Sequence, residues 1–425
     1  MISITKNHDK FDIIVTLLGS ISEWYEFVVY GFSAPILAPL FFPNQNKSIS
    51  ILLALGAFAA GFLMRPLGAL IYGHFGDKIG RRKTLSMSII LMGLPTVVMG
   101  LLPTYHQIGF LAPLVLIMIR LLQGVSVGGQ FTGSAIFIGE HVRRRFRYFG
   151  AGLTFCGAFA GMLLASFIGV LLTKLLSSEQ LHAWGWRIPF LLGIIVSIIG
   201  FYLRRHTLET PAFLNIERKQ KIVTNPIGEV FANQKRLMCL CALICWLAPI
   251  IVYLLFIFMP TYVNVYLHIP LEEALYNNTI AMLVLTISAL FFGFAADRLT
   301  YRLVMVSAAL LLFIFAWPLY MLLAHAQQHH RYLLMAQILF ALFSGGFIGP
   351  MMSVLTFLFP TSIRYTALSF SYNLGCGVFG GTAALIATFL VERTGHVSAP
   401  GIYVAITALI SGSCVILSKR YIRES

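Results

Sequence analysis

Two carboxylates and two guanidiniums lie where charges are costly. Glu23 and Glu26 stand inside the first long apolar run of the chain, and Arg65 and Arg120 stand inside the second and fourth. A charge at mid-membrane depth costs upward of about 2.5 kcal/mol, so such residues normally face a cavity or a partner. A helix entering near residue 13 carries Glu23 roughly 15 Å in, close to the midplane of a bilayer. The i,i+3 spacing sets Glu23 and Glu26 on one helix face, with Tyr30 one turn beyond. Two carboxyls that close cannot both ionise easily in low dielectric, so one is expected to exchange a proton. Proton-coupled movement of a solute requires such a group. The plainer reading is that both neutralise the buried arginines. Arg120 sits roughly 14 Å below the outer end of its run, at similar depth to Glu23, with Gln123 one turn on. Arg65 lies nearer the inner end and precedes Pro66, as a possible cavity residue with Trp24, Tyr253, Tyr372 and Asn373. Aromatic faces suit quaternary ammonium groups, although most aromatics in such a chain are packing or interface anchors.

A second constellation lies in short charged turns between apolar runs. One reads Gly73-His74-Phe75-Gly76-Asp77-Lys78-Ile79-Gly80-Arg81-Arg82-Lys83, the other Gly293-Phe294-Ala295-Ala296-Asp297-Arg298-Leu299-Thr300-Tyr301-Arg302. Aligned on their aspartates they lie about half the chain apart, and the same offset maps Arg144 onto Arg364. Gly76 and Gly80 permit a tight turn, and Asp77 is suited to capping a helix end or pairing with the opposite half. Gly73, Asp77, Gly80, Arg81, Asp297, Arg298, Arg144 and Arg364 together read as a cytoplasmic gate, whose ion pairs form in one state and break in another. A solvated topology signal accounts for Lys78, Arg82 and Lys83, but not for the aspartate.

The elements that position these residues follow from composition. Of 425 residues, 58% are hydrophobic and 11% charged, far less polar surface than a soluble chain of this size needs. Twelve apolar runs are long enough to span a bilayer: 13–41, 51–73, 85–103, 110–138, 149–173, 187–203, 236–266, 275–296, 303–323, 332–358, 366–390 and 400–418. The expectation is an all-α membrane protein of twelve transmembrane helices in two pseudo-symmetric six-helix bundles, 1–203 and 236–425, joined by a cytoplasmic central loop at 204–235. Internal repeats of this kind are characteristic of secondary transporters. Most of the 30 lysines and arginines fall in segments on one side, leaving Lys47, Lys174, Arg187, Arg331 and Arg393 for the other. That asymmetry puts both termini in the cytoplasm. The net charge of +15 needs no nucleic acid as partner, because an anionic inner leaflet accounts for it. The expected partners are a small-molecule solute, protons and the lipid bilayer.

Residues 1–12 are polar, and the first run is too long for a signal-peptide core, so no cleaved leader is expected. Cys239, Cys241 and Cys245 cluster without metal-ligand spacing and read as small packing residues. His325, His329 and His330 read as a solvated loop. No cofactor and no metal site are called for. Gly124 with Gly128, Gly129 with Gly133, and Gly157 with Gly161 are GxxxG pairs, expected to let helices approach closely.

The first charged turn resembles the loop between helices two and three in the major facilitator superfamily. Arg65-Pro66-Leu67-Gly68 leading into that turn, Arg120-Leu121-Leu122-Gln123-Gly124-Val125-Ser126-Val127-Gly128-Gly129 and Trp184-Gly185-Trp186-Arg187-Ile188-Pro189-Phe190 are similar to that superfamily's metabolite:proton symporter family. So are Glu209-Thr210-Pro211-Ala212-Phe213 and Phe359-Pro360-Thr361-Ser362-Ile363-Arg364-Tyr365. Within it the proline/betaine transporters look nearest. The resemblance implies the major facilitator fold, and a role for Arg120 and Gln123 in proton transfer. Three departures stand out. Gln130 replaces a usual glutamate, and the second charged turn ends Leu299-Thr300-Tyr301-Arg302 without Gly-Arg-Arg. The sequence also ends soon after its twelfth run, without the long coiled coil of osmosensing members, which leaves osmotic activation open and transport itself expected. Helix five has no proline, unlike the Gly-Pro-rich helix five of drug:proton antiporters, which favours symport.

These readings converge on a proton-coupled symporter that imports a small polar metabolite by alternating access. The metabolite is either a zwitterion such as proline or betaine, or an organic acid. The alternatives are a solute receptor without transport, and a uniporter or antiporter of the same fold. An enzyme is not expected: no His-Glu-x-x-His, Gly-x-Ser-x-Gly or paired metal carboxylates occur.

Overall fold

Within a bilayer the backbone has no water to bond, so apolar runs of this length must bond along a helix. The computed structural model describes residues 6–45, 47–327 and 331–422. Among them, twelve helices are long and apolar enough to cross a membrane. The first six spans are Phe11–Ala34, Gly56–Lys78, Arg81–Leu101, Leu111–His141, Arg144–Leu172 and Gly185–Tyr202. The last six are Lys235–Ile257, Glu273–Arg298, Tyr301–Ala324, Arg331–Phe357, Arg364–Thr394 and Pro400–Arg420. Each overlaps one of the twelve runs expected from hydropathy. His329 and His330 lie outside the described residues.

The chain forms two compact units. One comprises residues 1–141, 157–230 and 361–370; the other comprises 142–156, 231–360 and 371–425. Each unit thus takes in the start of a span that sequence alone assigns to the other half.

In the first unit, small residues set the spacing of the second and fourth spans. A Cβ on Gly124 would collide with the Gly61 carbonyl, and one on Gly128 with the Arg65 carbonyl. Gly161 does the same for the fifth span against Ile21 and Tyr25 on the first. Gly124, Gly128 and Gly161 therefore mark backbone-to-backbone approach, in which packing replaces the hydrophobic drive that lipid removes, whereas Gly129 and Gly133 make room for the rings of Tyr72 and Tyr365. Around them lies a core of Tyr25, Tyr30, Phe41, Leu116, Trp186 and Phe190.

The second unit repeats the device. A Cβ on Gly349 would strike the Ala289 carbonyl, and one on Gly345 would strike Ser288. Two stretches there leave regular α geometry: the seventh span widens into a π-helix over Ile250–Ile257, and the eleventh over Cys376–Gly380. Such π segments cluster at functional sites. They meet where Gly380, lacking a side chain, admits the Tyr253 ring, 2.9 Å from where its Cβ would be. Trp246 stacks on Phe379 with ring centroids 4.2 Å apart.

The central loop carries two short helices, Pro211–Arg218 and Pro226–Asn233. The first begins with proline and is capped by Thr210, whose hydroxyl accepts from the Phe213 amide at 3.2 Å.

Candidate functional site: a carboxylate and an arginine joined by two neutral side chains

Glu26 is buried where the first, third and sixth spans meet. Its Oε1 accepts from the hydroxyls of Ser197 at 2.5 Å and Ser22 at 3.0 Å. Its Oε2 lies 3.3 Å from Thr96 Oγ1. Gly93 and Gly193 make room for this cluster: a Cβ on Gly93 would run into Ser197, and one on Gly193 would stand 3.1 Å from the Thr96 methyl. Among the described residues no lysine or arginine pairs with Glu26, and its hydrogen-bond partners are Ser22, Thr96 and Ser197 rather than Glu23. The expectation that buried carboxylates simply neutralise buried arginines therefore does not describe Glu26.

Arg120 is equally unusual. Its side chain is fully buried, and its guanidinium lies 4.7 Å from the centre of the Tyr30 ring and 4.9 Å from those of Phe27 and Phe58. Each such contact is worth about 0.5–2 kcal/mol. The three rings thus hold the charge without a carboxylate. Among the described residues its one hydrogen bond runs from Nη1 to Gln123 Oε1 at 2.5 Å, and Nε and Nη2 have no partner. Gln123 in turn donates from Nε2 to Thr96 Oγ1 at 2.8 Å. An unbroken chain, Arg120–Gln123–Thr96–Glu26, thus connects a buried cation to a buried carboxyl. Tyr30 belongs to this site through its ring, while its hydroxyl donates to the Ala54 carbonyl at 3.0 Å.

The other expected site residues fall elsewhere. Trp24 packs edge-on against Phe131, ring centroids 5.7 Å apart. Arg65 is buried, with its guanidinium 5.4 Å from the centre of the Phe62 ring. Tyr253, Tyr372 and Asn373 lie in the second unit at or beside its π segments, with Tyr372 and Asn373 buried. Gln130 is nearly three helical turns from Arg120 on the same span, roughly 15 Å of rise, and outside the chain just described. It donates to the Gly19 carbonyl at 3.4 Å, and its Oε1 has no partner among the described residues. We expect Gln130→Glu to cost about 1–3 kcal/mol by removing that donor and burying a charge, and to leave the pH profile of transport unchanged in shape. Thermal unfolding in detergent, set beside initial rates from about pH 5 to 9, checks this; an added pH-dependent step at unchanged stability would contradict it.

The charged turn at the end of the second span is an interlocked, buried cluster rather than a solvated one. Asp77 accepts from the backbone amides of Tyr365 at 3.1 Å and Thr366 at 2.8 Å, capping the helix Arg364–Gly375. Arg81 pairs with Asp77 at 3.2 Å and Glu140 at 3.5 Å, and donates to the Thr361 carbonyl at 2.6 Å. Arg364 pairs with Glu140 at 2.7 Å. The glycines explain the closeness: a Cβ on Gly76 would enter the Tyr365 ring, and one on Gly73 would stand 2.5 Å from Thr366 Cα. Gly80 takes φ 105, in the region that favours glycine. Glu209 of the central loop caps the third span from outside, accepting from the amides of Arg81 and Arg82 at 3.1 Å. Burial nevertheless holds its carboxyl above the usual range, against the pull of those amides.

The second unit repeats the cap. Asp297 accepts from the amides of Tyr148 and Phe149, both at 2.9 Å. These follow Arg147, the first residue of the helix Arg147–Leu175, as Tyr365 and Thr366 follow Arg364. The structural counterpart of Arg364 is therefore Arg147, where the offset between the aspartates had pointed to Arg144. Arg144 opens a 3-10 turn and is exposed. Arg298 lies over the Phe294 ring of its own helix, at 4.6 Å. Sequence reasoning missed Thr96, Ser197 and Glu140. Glu140 carried a signal, as the one carboxylate beside the basic run Arg143–Arg147.

This arrangement of helices and charged turns has known counterparts. The family model for the Major Facilitator Superfamily matches residues 19–278. A proline/betaine transporter of Escherichia coli (strain K12) is 34% identical over 418 residues, covering 94% of this chain and 82% of that protein. A glycine betaine/proline/ectoine/pipecolic acid transporter of Dickeya dadantii (strain 3937) is 33% identical over 412 residues, covering 94% and 81%. Among solved structures, the proton:xylose symporter XylE of E. coli superposes with a TM-score of 0.82 at 16% identity, over 98% of this chain and 96% of that one. The human organic anion transporter MFSD10 superposes with a TM-score of 0.72 at 13% identity, over 96% and 99%. The chain belongs to the major facilitator superfamily. It is a multi-pass membrane transporter and not an enzyme, and its curated relatives are proline/betaine transporters.

Proposed function

We propose that this protein is a proton-coupled symporter that imports a small zwitterion, of the proline or betaine kind, by alternating access. Its termini lie in the cytoplasm. The observation that carries the reading is Glu26: a buried carboxyl served by hydroxyls, with no cation in contact among the described residues, yet wired to a buried arginine that has no anion partner among them. A carboxyl so placed takes up and gives back a proton without a fixed counter-charge to oppose it. Arg120, with donors to spare, answers to negative charge. The relatives' names favour a zwitterion over a simple organic acid.

In this mechanism, protonation of Glu26 from outside neutralises the site and solute binds. The caps at Asp77 and Asp297 then loosen so that the inner side opens. Solute and proton leave, and the caps re-form. The cluster of Asp77, Arg81, Glu140 and Arg364 serves as the cytoplasmic latch, because it is built from contacts that break together.

Purified protein in vesicles, given labelled proline or glycine betaine and an inside-alkaline gradient, tests the reading. One-proton coupling supports up to about tenfold accumulation per pH unit, abolished by a protonophore. Uptake that only equilibrates would mean a uniporter, and binding without flux would mean a receptor.

A further inference from the structure

The Thr96 hydroxyl has one proton and two places to send it. Oγ1 lies 2.9 Å from the Met92 carbonyl of its own helix and 3.3 Å from Glu26 Oε2, while it accepts from Gln123 Nε2 at 2.8 Å. A hydroxyl donates once and accepts twice. With Glu26 ionised, the charge-assisted bond draws the Thr96 proton to Oε2. Every bond from Arg120 through Gln123 and Thr96 then points the same way, from cation to anion, and each polarises the next. With Glu26 protonated, its own O–H donates to Thr96, and the Thr96 proton turns to Met92. The chain then meets head-on at Thr96, and Arg120 no longer feels an anion at its far end.

We infer that Thr96 is the positioning residue that reports the proton state of Glu26 to Arg120, by reversing a single hydroxyl. This rests on the reading of Glu26 as the proton carrier. The surroundings support it. Of the ionisable groups, Glu23 and Tyr25 stand within one turn of Glu26 on its own helix, and Arg120 on the fourth span connects to it through Gln123 and Thr96. Tyr25 is engaged with the Pro189 carbonyl at 2.6 Å. Among the described residues the third and sixth spans offer Glu26 hydroxyls, Thr96 and Ser197, and Arg187 of the sixth span is committed to the carbonyls of Gly100 and Leu102. Ser22 and Ser197 both bond Oε1 and lead no further. Among the described residues, Thr96 alone touches both Glu26 and the arm that ends on Arg120. Gln123 makes the arm directional, since its oxygen faces Arg120 and its nitrogen faces Thr96.

The test compares Thr96→Val, which keeps the shape and removes the hydroxyl, with Thr96→Ser, which restores it. Infrared difference spectra between about pH 5 and 9, wild type against Glu26→Gln, isolate the carboxyl band of Glu26 without any solute. Thr96→Val is expected to displace that band and move its titration midpoint by about half a pH unit or more, with Thr96→Ser close to wild type. In vesicles loaded with proline or glycine betaine, Thr96→Val is expected to retain exchange but lose gradient-driven accumulation, and Thr96→Ser to recover it. If Thr96→Val fails to insert, Thr96→Ala carries the same expectation. An unmoved band together with normal accumulation in the hydroxyl-free variant overturns the relay and leaves the proton-carrier reading standing. Absence of any titrating Glu26 band in the wild type overturns both.

Discussion

Glu26→Gln vesicles are expected to bind and exchange solute but not to concentrate it: the accumulation ratio under a pH gradient should fall from as much as about tenfold per unit to one. The substitution preserves shape. The amide oxygen still accepts from Ser22 and Ser197, and the amide nitrogen can donate to Thr96, so the packing of three spans around the side chain has no reason to collapse. What disappears is the exchangeable proton. Counterflow with labelled proline or glycine betaine measures the exchange step, and gradient-driven uptake measures coupling. Accumulation surviving in Glu26→Gln under ΔpH alone would show that another group carries the proton.

The second large effect is expected at Asp77→Asn. Asp77 is buried, not on the surface, and serves two helix-start amides and Arg81 at once. An asparagine offers one accepting oxygen and turns its NH2 toward donors. Breaking a buried pair from one side costs about 3–5 kcal/mol, against about 1 kcal/mol for an exposed one. In the proposed cycle the latch forms and breaks at each turnover, so the rate should drop by at least about tenfold. The charge is distant from Glu26 in the sequence and shares none of its contacts, so equilibrium affinity should stay within about threefold. Initial rates and binding on the same preparation decide it. A large loss of affinity with normal turnover would place Asp77 at the solute instead.

Much of this molecule is legible in its residues, and the rest is hidden for definite reasons. Hydropathy marks all twelve spans, because a lipid-facing backbone leaves few options. Glu26 and Arg120 announce themselves as charges in apolar runs. Thr96 does not: nothing in the sequence separates it from Thr132 or Thr154, and only the crossing of the first, third and fourth spans brings it to Glu26. The partner of Asp77 was hidden for a different reason. It consists of backbone amides, which every residue has, so no side chain betrays it. The pairing of Arg364 with Arg147 shows the limit of repeat arithmetic: the turns and the helix starts they cap have drifted apart by three residues between the halves.

The caps also set an order of events during synthesis. Asp297 is made after its partners: Tyr148 precedes it by 149 residues and is already waiting. Asp77 is made 288 residues before Tyr365. At about 5–20 residues per second, the newborn chain carries Asp77 for roughly a quarter of a minute to a minute, and Arg81 and Glu140 for less, before the helix start that completes them exists. Through that interval the charged end of the second span is an open ionic cluster near the basic run Arg143–Arg147 that follows Glu140. The first bundle therefore cannot reach its final arrangement before the eleventh span begins to emerge, and truncation anywhere before residue 365 leaves that cluster unfinished.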